Sequence, residues 1–431
     1  MFEKYLHFSI IAVMLPAVYT GFFPGKIVVV NALCMIIYLI FMWYYRNRIS
    51  IKDFDCKNII LFYFIYTIFE YIRGFFNIDG WRDYVYLYNG LFHLIIFPLW
   101  ILLARPQYIM VLWKSFMTIG IIMSIILAFF PPTHGMHTMA HNMLWLNVFI
   151  FMYPYIKRKY FILILGVALF IITFDLNRRS IMLGYLIPTI ILLGYLFLQK
   201  YIFQKIFYYF GVLLPLICLL LFYTKTFNIF QYLEESNKEI ILQKDSGRSV
   251  FTDSRTGIYE DVTRDVLKAK EWWKPYIGLG GNGKTKVEAN GANSFGFEGL
   301  RSTHESGMLN FIQHGGLLGL IAYGLLITVA AYLAMFKSRN DFMRMLGLFL
   351  VFKFAYSFIE DELDFSGHVI AQFLWIGMGY NKSFRNMTDH KMKLYIRYGL
   401  NIFPLFKTLT GKRIIKIKRI KNEHFYKNFS A

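Results

Sequence analysis

The chain has 431 residues, 57% apolar and only 17% charged, with a formal net charge of +20. Apolar runs on that scale cannot stay in water, which excludes a wholly water-soluble protein and points to a polytopic membrane protein. The three cysteines, Cys34, Cys56 and Cys218, fall in predicted spans or a predicted cytoplasmic loop, which excludes an external disulfide or thiolate–metal framework.

Hydropathy marks about 12 spans of roughly 15–25 residues, long enough at ~1.5 Å per residue to cross a hydrocarbon core. They run over 5–23, 27–45, 58–76, 87–104, 109–130, 143–156, 160–174, 181–199, 206–223, 305–335, 341–359 and 366–381. The first lacks a small-x-small cleavage site and reads as a membrane helix rather than a signal peptide. Loops after even-numbered spans hold Arg46, Arg48, Lys52, Lys57, Arg105, Lys157, Arg158, Lys159, Lys200, Lys205, Lys337 and Arg339. Loops after odd-numbered spans, the long one aside, hold only Lys26, Arg82, Arg178 and Arg179. That positive-inside bias predicts cytoplasmic termini, and it turns the long loop 224–303 outward.

The expected fold is therefore all-α and polytopic. Residues 1–223 carry nine transmembrane helices, 224–303 a large external loop with short helices, 304–381 three more transmembrane helices, and 382–431 a basic cytoplasmic tail. The tail has 13 Lys and Arg against Asp389 and Glu423, interleaved with aromatic and aliphatic residues. Anionic lipid headgroups are its expected partner, at about 1 kcal/mol per basic residue near the surface. Nucleic acid is not expected, because no recognition fold accompanies the charge.

Several motifs invite a stronger reading than their context supports. Asp53-Phe-Asp55 resembles a metal–diphosphate DxD, but it lies on the predicted cytoplasmic side away from the other candidates and reads as a solvated loop. His134, His137 and His141 have zinc-compatible spacings in one outer loop, but no carboxylate or cysteine joins them, so they read as a polar rim. Gly278-Leu-Gly-Gly-Asn-Gly283-Lys284-Thr285 matches a phosphate loop in its letters. It lacks the preceding strand and following helix that motif needs, so a flexible glycine turn is expected. Lys353 lies inside the eleventh span, with Glu360, Asp361, Glu362 and Asp364 at its outer end; a functional ion pair and a structural one fit equally.

The external loop carries the chemistry. Ser302-Thr303-His304-Glu305 has the form of a capping box, with Ser302 as N-cap and Glu305 at N3, which places His304 in the first turn of the tenth span. A helix N-terminus disfavours imidazolium, so His304 is expected to be neutral and able to accept a proton. Below it, Met308, Phe311, Gly315 and Gly319 continue one helical face, and Gly315-x-x-x-Gly319, with Gly316 inside it, admits a close neighbouring helix. Arg178 and Arg179 sit at the outer mouth of the eighth span, and Arg248, Arg255 and Arg301 in the external loop. Arginines bind phosphate through a fixed fork. Several of them around one neutral histidine suit a substrate that carries its own diphosphate leaving group, with the histidine deprotonating the attacking hydroxyl.

The order of these features resembles the O-antigen ligase and polymerase superfamily of bacterial glycan assembly. The resemblance rests on Asn177-Arg178-Arg179-Ser180 before an apolar span, Ser254-Arg255-Thr-Gly-Ile-Tyr-Glu opening a helix, the turn Ile277-Gly278-Leu-Gly280, and His304 followed by Gly315-Gly316-Leu-Leu-Gly319. It is specific over roughly 175–325 and only topological elsewhere. It implies Arg179 or Arg178, with Arg255, on a lipid-linked diphosphate and His304 on acceptor activation, with no cofactor or metal. Glu305 stands where the family often has Asn, which bears on acceptor contacts; His141 and Asn142 are similar to a Pro-Asn pair in related proteins and would join the site rim. The implied partners are an undecaprenyl-diphosphate-linked oligosaccharide, an acceptor glycan (a lipid-linked repeat or lipid A-core) and a chain-length regulator. The implied location is the bacterial inner membrane. Polymerase is the expected activity, with ligase or protein glycosylation as alternatives. A lipid-linked glycan transporter is the competing class, although no internal repeat supports two equivalent halves.

Overall fold

The computed structural model of the protein describes residues 36–80 (41 and 45 aside), isolated positions between 83 and 108, and 144–226 with gaps at 159–160, 163, 167, 170–178 and 199. It also describes 232, 256–286, 300–301, 304, 306–360 and 367–399. These residues are mostly helical. The longer helices are α1 (Lys57–Phe75), α2 (Arg179–Phe197), α3 (Lys200–Tyr223), α6 (Gly307–Phe336), α7 (Asp341–Tyr356) and α8 (Gly367–Tyr380). Between α3 and α6 come the short α4 (Thr256–Val262), continued by a π-turn over Thr263–Leu267, and α5 (Lys274–Ile277). The two-residue strands β1 (Thr285–Lys286) and β2 (Leu300–Arg301) follow, and α9 (Lys382–Arg385) and α10 (Asp389–Gly399) come after α8.

Helix α6 is the hub, packing on α7, α8 and α1, while α3 packs on α7. Most of α7 is buried. By contrast α3 turns Tyr201, Ile202, Ile206, Tyr209, Phe210, Leu213 and Leu220 outward, a face that water cannot hold. Among the described residues, α3 and α6 are the two helices long and apolar enough to cross a membrane. Prolines 188 and 215 lie inside α2 and α3, as membrane helices tolerate.

Two predicted spans differ from expectation. The sixth is a 3-10 helix of nine residues, Leu144–Met152, about 18 Å long at ~2.0 Å per residue. That stretch alone does not cover a core about 30 Å thick, but Tyr155 just beyond it meets Asp389 and the Phe342 amide at the Asp341 end of α7, and residues 130–143 before it lie outside the described residues. The tenth is not continuous. Gly316 has φ 63° and ψ −159°, which breaks α6 into Gly307–Gly315 and Leu317–Phe336. The rings of Phe311 and Tyr323 stack with centroids 4.0 Å apart. Twelve residues of unbroken helix would separate them by about 18 Å, so the first half-helix is folded over the second. It runs from the end of α7, where Met308 N donates to Ser357 O at 2.9 Å, to Glu70 of α1, which seats against Gly315. The second half alone, at about 30 Å, matches the thickness of a hydrocarbon core. The spans predicted at 5–23 and 109–130, and most of 87–104, lie outside the described residues.

Helix ends group into two opposite faces. One holds the C-terminal ends of α1 and α7 together with α4, α5, β1 and β2. At the other, Asp55 pairs with Arg385 and with Lys382 at 2.9 Å, and Asp341 pairs with Lys200 at 2.8 Å and Arg344 at 3.1 Å. The Asp53–Asp55 segment is therefore a loop that is only partly solvated: Asp53 is exposed, but Asp55 is paired. Its Phe54 is buried, Asp55 N donates to Tyr380 O at 3.0 Å, and Asp53 O accepts from Lys382 N at 3.0 Å, so it clasps the end of α8. The basic tail likewise begins as structure. In α10, Met392, Tyr395 and Ile396 are buried, Asp389 accepts from the Tyr155 hydroxyl, and Arg397 Nε donates to Tyr155 O at 3.1 Å. Residues 400–431 lie outside the described residues.

Candidate functional site

A helix broken in its interior releases carbonyls that must find donors elsewhere. At the Gly316 break, Gln313 O accepts from Leu279 N at 2.7 Å, His314 O from Gly280 N at 2.9 Å, and Gly315 O from the Tyr66 hydroxyl. The glycine turn thus plugs the break. Helix α1 holds the same turn from its other side. Gly281 N donates to Glu70 O at 2.8 Å, the two arms of the Arg73 guanidinium donate to Ile277 O and Gly278 O, and Asn77 Nδ2 donates to Leu279 O at 2.6 Å. The Arg73 guanidinium also lies over the Trp273 ring, 5.3 Å from its centroid.

The turn expected to be flexible is a hydrogen-bonded junction between two helices. Its phosphate-loop lettering has no matching architecture: one-turn α5 precedes it, β1 follows it, and Lys284 is committed to Asp83 at 2.9 Å and Asp79 at 3.4 Å. Burial raises the Asp83 pKa, but the Asp79 amide that donates to its carboxylate at 2.8 Å, and then Lys284, hold it below its usual range.

Beyond the turn, β1 pairs antiparallel with β2, setting Thr285 opposite Arg301. That ladder delivers the chain to His304, which is 3% exposed. His304 does not occupy the first turn of α6. The helix begins at Gly307 with Ser306 at the N-cap position, and no side chain caps it. Its first amides find carbonyls of the segment after α7 instead, Gly307 N on Glu360 O and Met308 N on Ser357 O, both at 2.9 Å. The capping box is therefore not formed as predicted; Ser302, Thr303 and Glu305 lie outside the described residues.

What holds His304 is Asn310. Its Oδ1 accepts from His304 N at 2.6 Å and its Nδ2 donates to His304 O at 2.9 Å, a two-point clamp on the backbone. The imidazole Nε2 lies 3.2 Å from Thr285 Oγ1, and Nδ1 has no hydrogen-bond partner among the described residues. The buried Gln313 donates from Nε2 to Gly283 O at 2.6 Å and Arg301 O at 3.1 Å, tying turn, strand and half-helix together beside the ring.

Burial, and then the charges of Arg301 and His314, push the His304 pKa down to about 3, against a smaller opposing effect of Gln313. The expected neutrality of His304 thus has a different cause: desolvation and nearby cations replace the helix terminus.

Of the predicted site residues, the structure brings together Arg301 and His304, while Gly315, Gly316 and Gly319 lie at the break, toward the other end of the first half-helix. Gly315 and Gly319 face α1, as close helix approach requires: a Cβ on Gly315 would stand 1.7 Å from Glu70 Oε1, and one on Gly319 2.7 Å from it. Gly316 faces the 276–278 backbone instead. Arg179 is the first residue of α2. Near the other end of that helix the Tyr195 hydroxyl donates to Asp341 at 2.7 Å, so Arg179 begins the helix toward the His304 face. Arg178, Arg248, Arg255, Glu305, His141 and Asn142, with the His134 and His137 of the spacing noted above, lie outside the described residues. Lys353 is buried near the end of α7, its Nζ 5.1 Å from the centroid of the Tyr356 ring.

Sequence reasoning missed Tyr66, Glu70, Arg73, Thr285, Asn310 and Gln313. Glu70 and Arg73, two ionisable residues three apart in an apolar span, were a usable signal. Nothing in the spacing pointed to Thr285, which depends on a two-residue strand. Comparison with known proteins returned no match to a family model, a curated protein or a solved structure.

Proposed function

We propose that the protein is an integral membrane glycosyltransferase that uses a polyprenyl-diphosphate-linked glycan as donor and a sugar hydroxyl as acceptor, without metal or nucleotide. The observation that carries this reading is a buried, neutral His304 whose Nδ1 has no hydrogen-bond partner among the described residues, set beside the guanidinium-bearing strand residue Arg301. In the reaction the acceptor oxygen bonds to the anomeric carbon as the bond to the diphosphate oxygen breaks. The hydroxyl proton passes to His304 and the electron pair leaves with the diphosphate. Arg301, with Arg179, Arg178, Arg255 and Arg248, neutralises that leaving group. A dianionic diphosphate near the imidazole raises its proton affinity by the same Coulombic effect through which Arg301 lowers it.

The acceptor we favour is a second lipid-linked repeat, which makes the protein a polysaccharide polymerase, with a chain-length regulator as a further partner. Lipid A-core as acceptor makes it a ligase, and a protein hydroxyl an oligosaccharyltransferase. The protein sits in the bacterial cytoplasmic membrane with about 12 spans, both termini inside and the His304 face outside; the basic C-terminal segment meets anionic headgroups. One observation favours a second reading. Broken helices are a habit of transporters, and α6 is broken. At this break, however, Gln313 O and His314 O each accept from the glycine turn and Gly315 O accepts from Tyr66, so protein packs the break where a transporter would open it to a substrate.

The test is the glycan profile of a strain lacking the protein, beside the parent and a His304→Ala complement of equal abundance. Core carrying a single repeat with no ladder, unrestored by His304→Ala, identifies a polymerase. Bare core with accumulated long lipid-linked chains identifies a ligase. Full restoration by His304→Ala removes the catalytic assignment and leaves the transporter reading.

A further inference from the structure

One short segment, residues 268–276, bridges the ends of two lipid-facing helices. We infer that it is a membrane-surface anchor, which lays Trp272 and Tyr276 into the headgroup layer of the surrounding phospholipid and so holds the glycine turn at that level. The inference rests on the membrane reading of the chain and not on the proposed reaction.

Helix α1 turns Phe62, Ile65, Phe69 and Ile72 outward, with Phe76 just past its end, at spacings of three and four. Like the outward face of α3, this stripe is stable only in lipid. It ends at Phe76, and the α3 face ends at Tyr223. The 268–276 segment is tied to both ends. Lys268 Nζ donates to Tyr223 O at 3.2 Å and lies 4.8 Å from the centroid of the Tyr223 ring. At the other end, the Arg73 guanidinium lies 5.5 Å from the ring centroid of Phe69, in the stripe, and 5.3 Å from that of Trp273. The same guanidinium donates to the Ile277 and Gly278 carbonyls. A segment fixed between the ends of two membrane helices runs where hydrocarbon gives way to headgroups.

Its side chains suit that level. Trp273 is half-buried under Arg73, but Trp272 is 79% and Tyr276 55% exposed, and Phe76 is 85% exposed. Indole and phenol rings settle at a bilayer interface, the apolar body among the acyl chains and the polar tip among the headgroups. Lys270 is exposed two residues before Trp272, and its long stem lets the ammonium reach a headgroup phosphate. A glycan or a second copy of the chain could also stack on an exposed indole. Lipid is favoured because it already surrounds both helix ends that fix the segment. From Tyr276 the chain passes through Ile277 into Gly278 and Gly280, the turn that plugs the break in α6. The anchor thereby sets the depth of that turn, and of β1 after it, relative to the membrane.

The test is tryptophan fluorescence of the full-length protein in phospholipid nanodiscs, with lipid brominated near the top of the acyl chain or with iodide added to the water. The wild-type emission minus that of Trp272→Phe isolates Trp272, which is expected to be quenched more strongly by the brominated lipid than by iodide. In the same nanodiscs, the Trp272→Ala/Tyr276→Ala double variant is expected to exchange the Leu279 and Gly280 amide hydrogens several-fold faster, with exchange in α7 unchanged. Quenching of Trp272 by iodide alone, or by neither, overturns the inference, because the ring then faces water or is covered by the chain itself. Protection of Trp272 from iodide by oligosaccharide cleaved from the cell's own surface glycan also overturns it, and makes the ring a sugar-stacking site. Lipid quenching without faster exchange in the double variant removes the hold on the glycine turn, and the inference with it. The emission left in Trp272→Phe includes the exposed Trp43 of the second predicted span, and it separates the two readings. If brominated lipid quenches that emission but not Trp272, the membrane reading stands and the anchor falls; if it quenches neither, both fall.

Discussion

Gly278 and Gly316 face one another across a backbone crossing in which neither can carry a side chain. Their conformations match, with φ 66° and ψ −161° at Gly278 and φ 63° and ψ −159° at Gly316, a region essentially reserved for glycine. A Cβ on Gly278 would lie 2.5 Å from Gly316 N, and one on Gly316 would lie 2.4 Å from the Tyr276 carbonyl carbon. Strain of about 1–3 kcal/mol thus comes with a clash against backbone, which cannot rotate away. Gly278→Ala and Gly316→Ala should each lower the melting temperature in detergent markedly and reduce the folded yield. Gly324→Ala, where the nearest atom would be 3.5 Å from the new Cβ, should be neutral or slightly stabilising. Equal melting temperatures for all three would mean the crossing does not form.

The second prediction concerns the seat of Glu70. Its carboxylate lies in the notch left by two glycines, with Oε1 sealed from solvent and without a hydrogen-bond partner among the described residues. Gly315→Ala places a methyl where that oxygen sits, and overpacking of this kind costs about 1–3 kcal/mol. Glu70→Ala empties the notch, so the Glu70→Ala/Gly315→Ala double variant should regain most of what Gly315→Ala loses. A coupling of at least about 1 kcal/mol in the double-mutant cycle is the expected reading. Additive effects would place Glu70 elsewhere.

These two features show what the amino-acid order makes legible and what it hides. Gly315 and Gly319 announce a close helix approach through their spacing, yet the partner, Glu70, lies some 245 residues away by numbering and carries no matching pattern. Helices α1, α2, α3, α7 and α8 are legible because each is a sustained apolar run. The break in α6 is not, because Gly316 sits in an apolar stretch of helical periodicity, and only the turn packed against it makes the left-handed φ worthwhile. His304 stood out by residue type and place, but its setting did not. A capping-box pattern four residues too early competed with carbonyls at the end of α7, and the tertiary contact won. The 53–55 loop departs from expectation for the same reason: Asp55 looks as solvated as the exposed Asp53 until Lys382 and Arg385 are brought to it.

Arg73 supplies the third prediction. Both arms of its guanidinium hold carbonyls of the glycine turn, a planar fork that lysine cannot reproduce. Hydrogen bonds from a charged donor contribute about 1.5–3 kcal/mol each where buried, and less for the half-buried Arg73. Arg73→Ala should therefore loosen the turn without unfolding the bundle, and Arg73→Lys should recover only part of it. Hydrogen exchange at the amides of Leu279, Gly280 and Gly281, all bonded to α6 or α1 carbonyls, should accelerate in the order wild type, Arg73→Lys, Arg73→Ala. Unchanged exchange would show that the break in α6 holds the turn unaided.

The last prediction follows from the neutral His304. Its pKa falls from 6.5 to about 3 on folding because burial and the neighbouring Arg301 and His314 oppose the charged ring. The unfolded chain therefore binds a proton in this window that the folded chain does not, so stability rises with pH there. The contribution is complete above pH 6.5 and drains as the pH falls towards about 3. One proton limits the slope to about 1.4 kcal/mol per pH unit. Asp83, held below its usual value of 3.8 by the Asp79 amide and by Lys284 against the effect of burial, adds its own acid sensitivity, but lower on the scale. Between pH 6 and 4.5 the histidine should dominate the difference between variants. Unfolding in detergent should show the wild type losing stability across that interval, while His304→Asn, which has no proton to gain, loses distinctly less. Parallel curves for the two proteins would mean that His304 is solvated and already free to titrate. Its neutrality at pH 7 would then be ordinary rather than imposed by the fold, and the case for a built proton acceptor at this position would go with it.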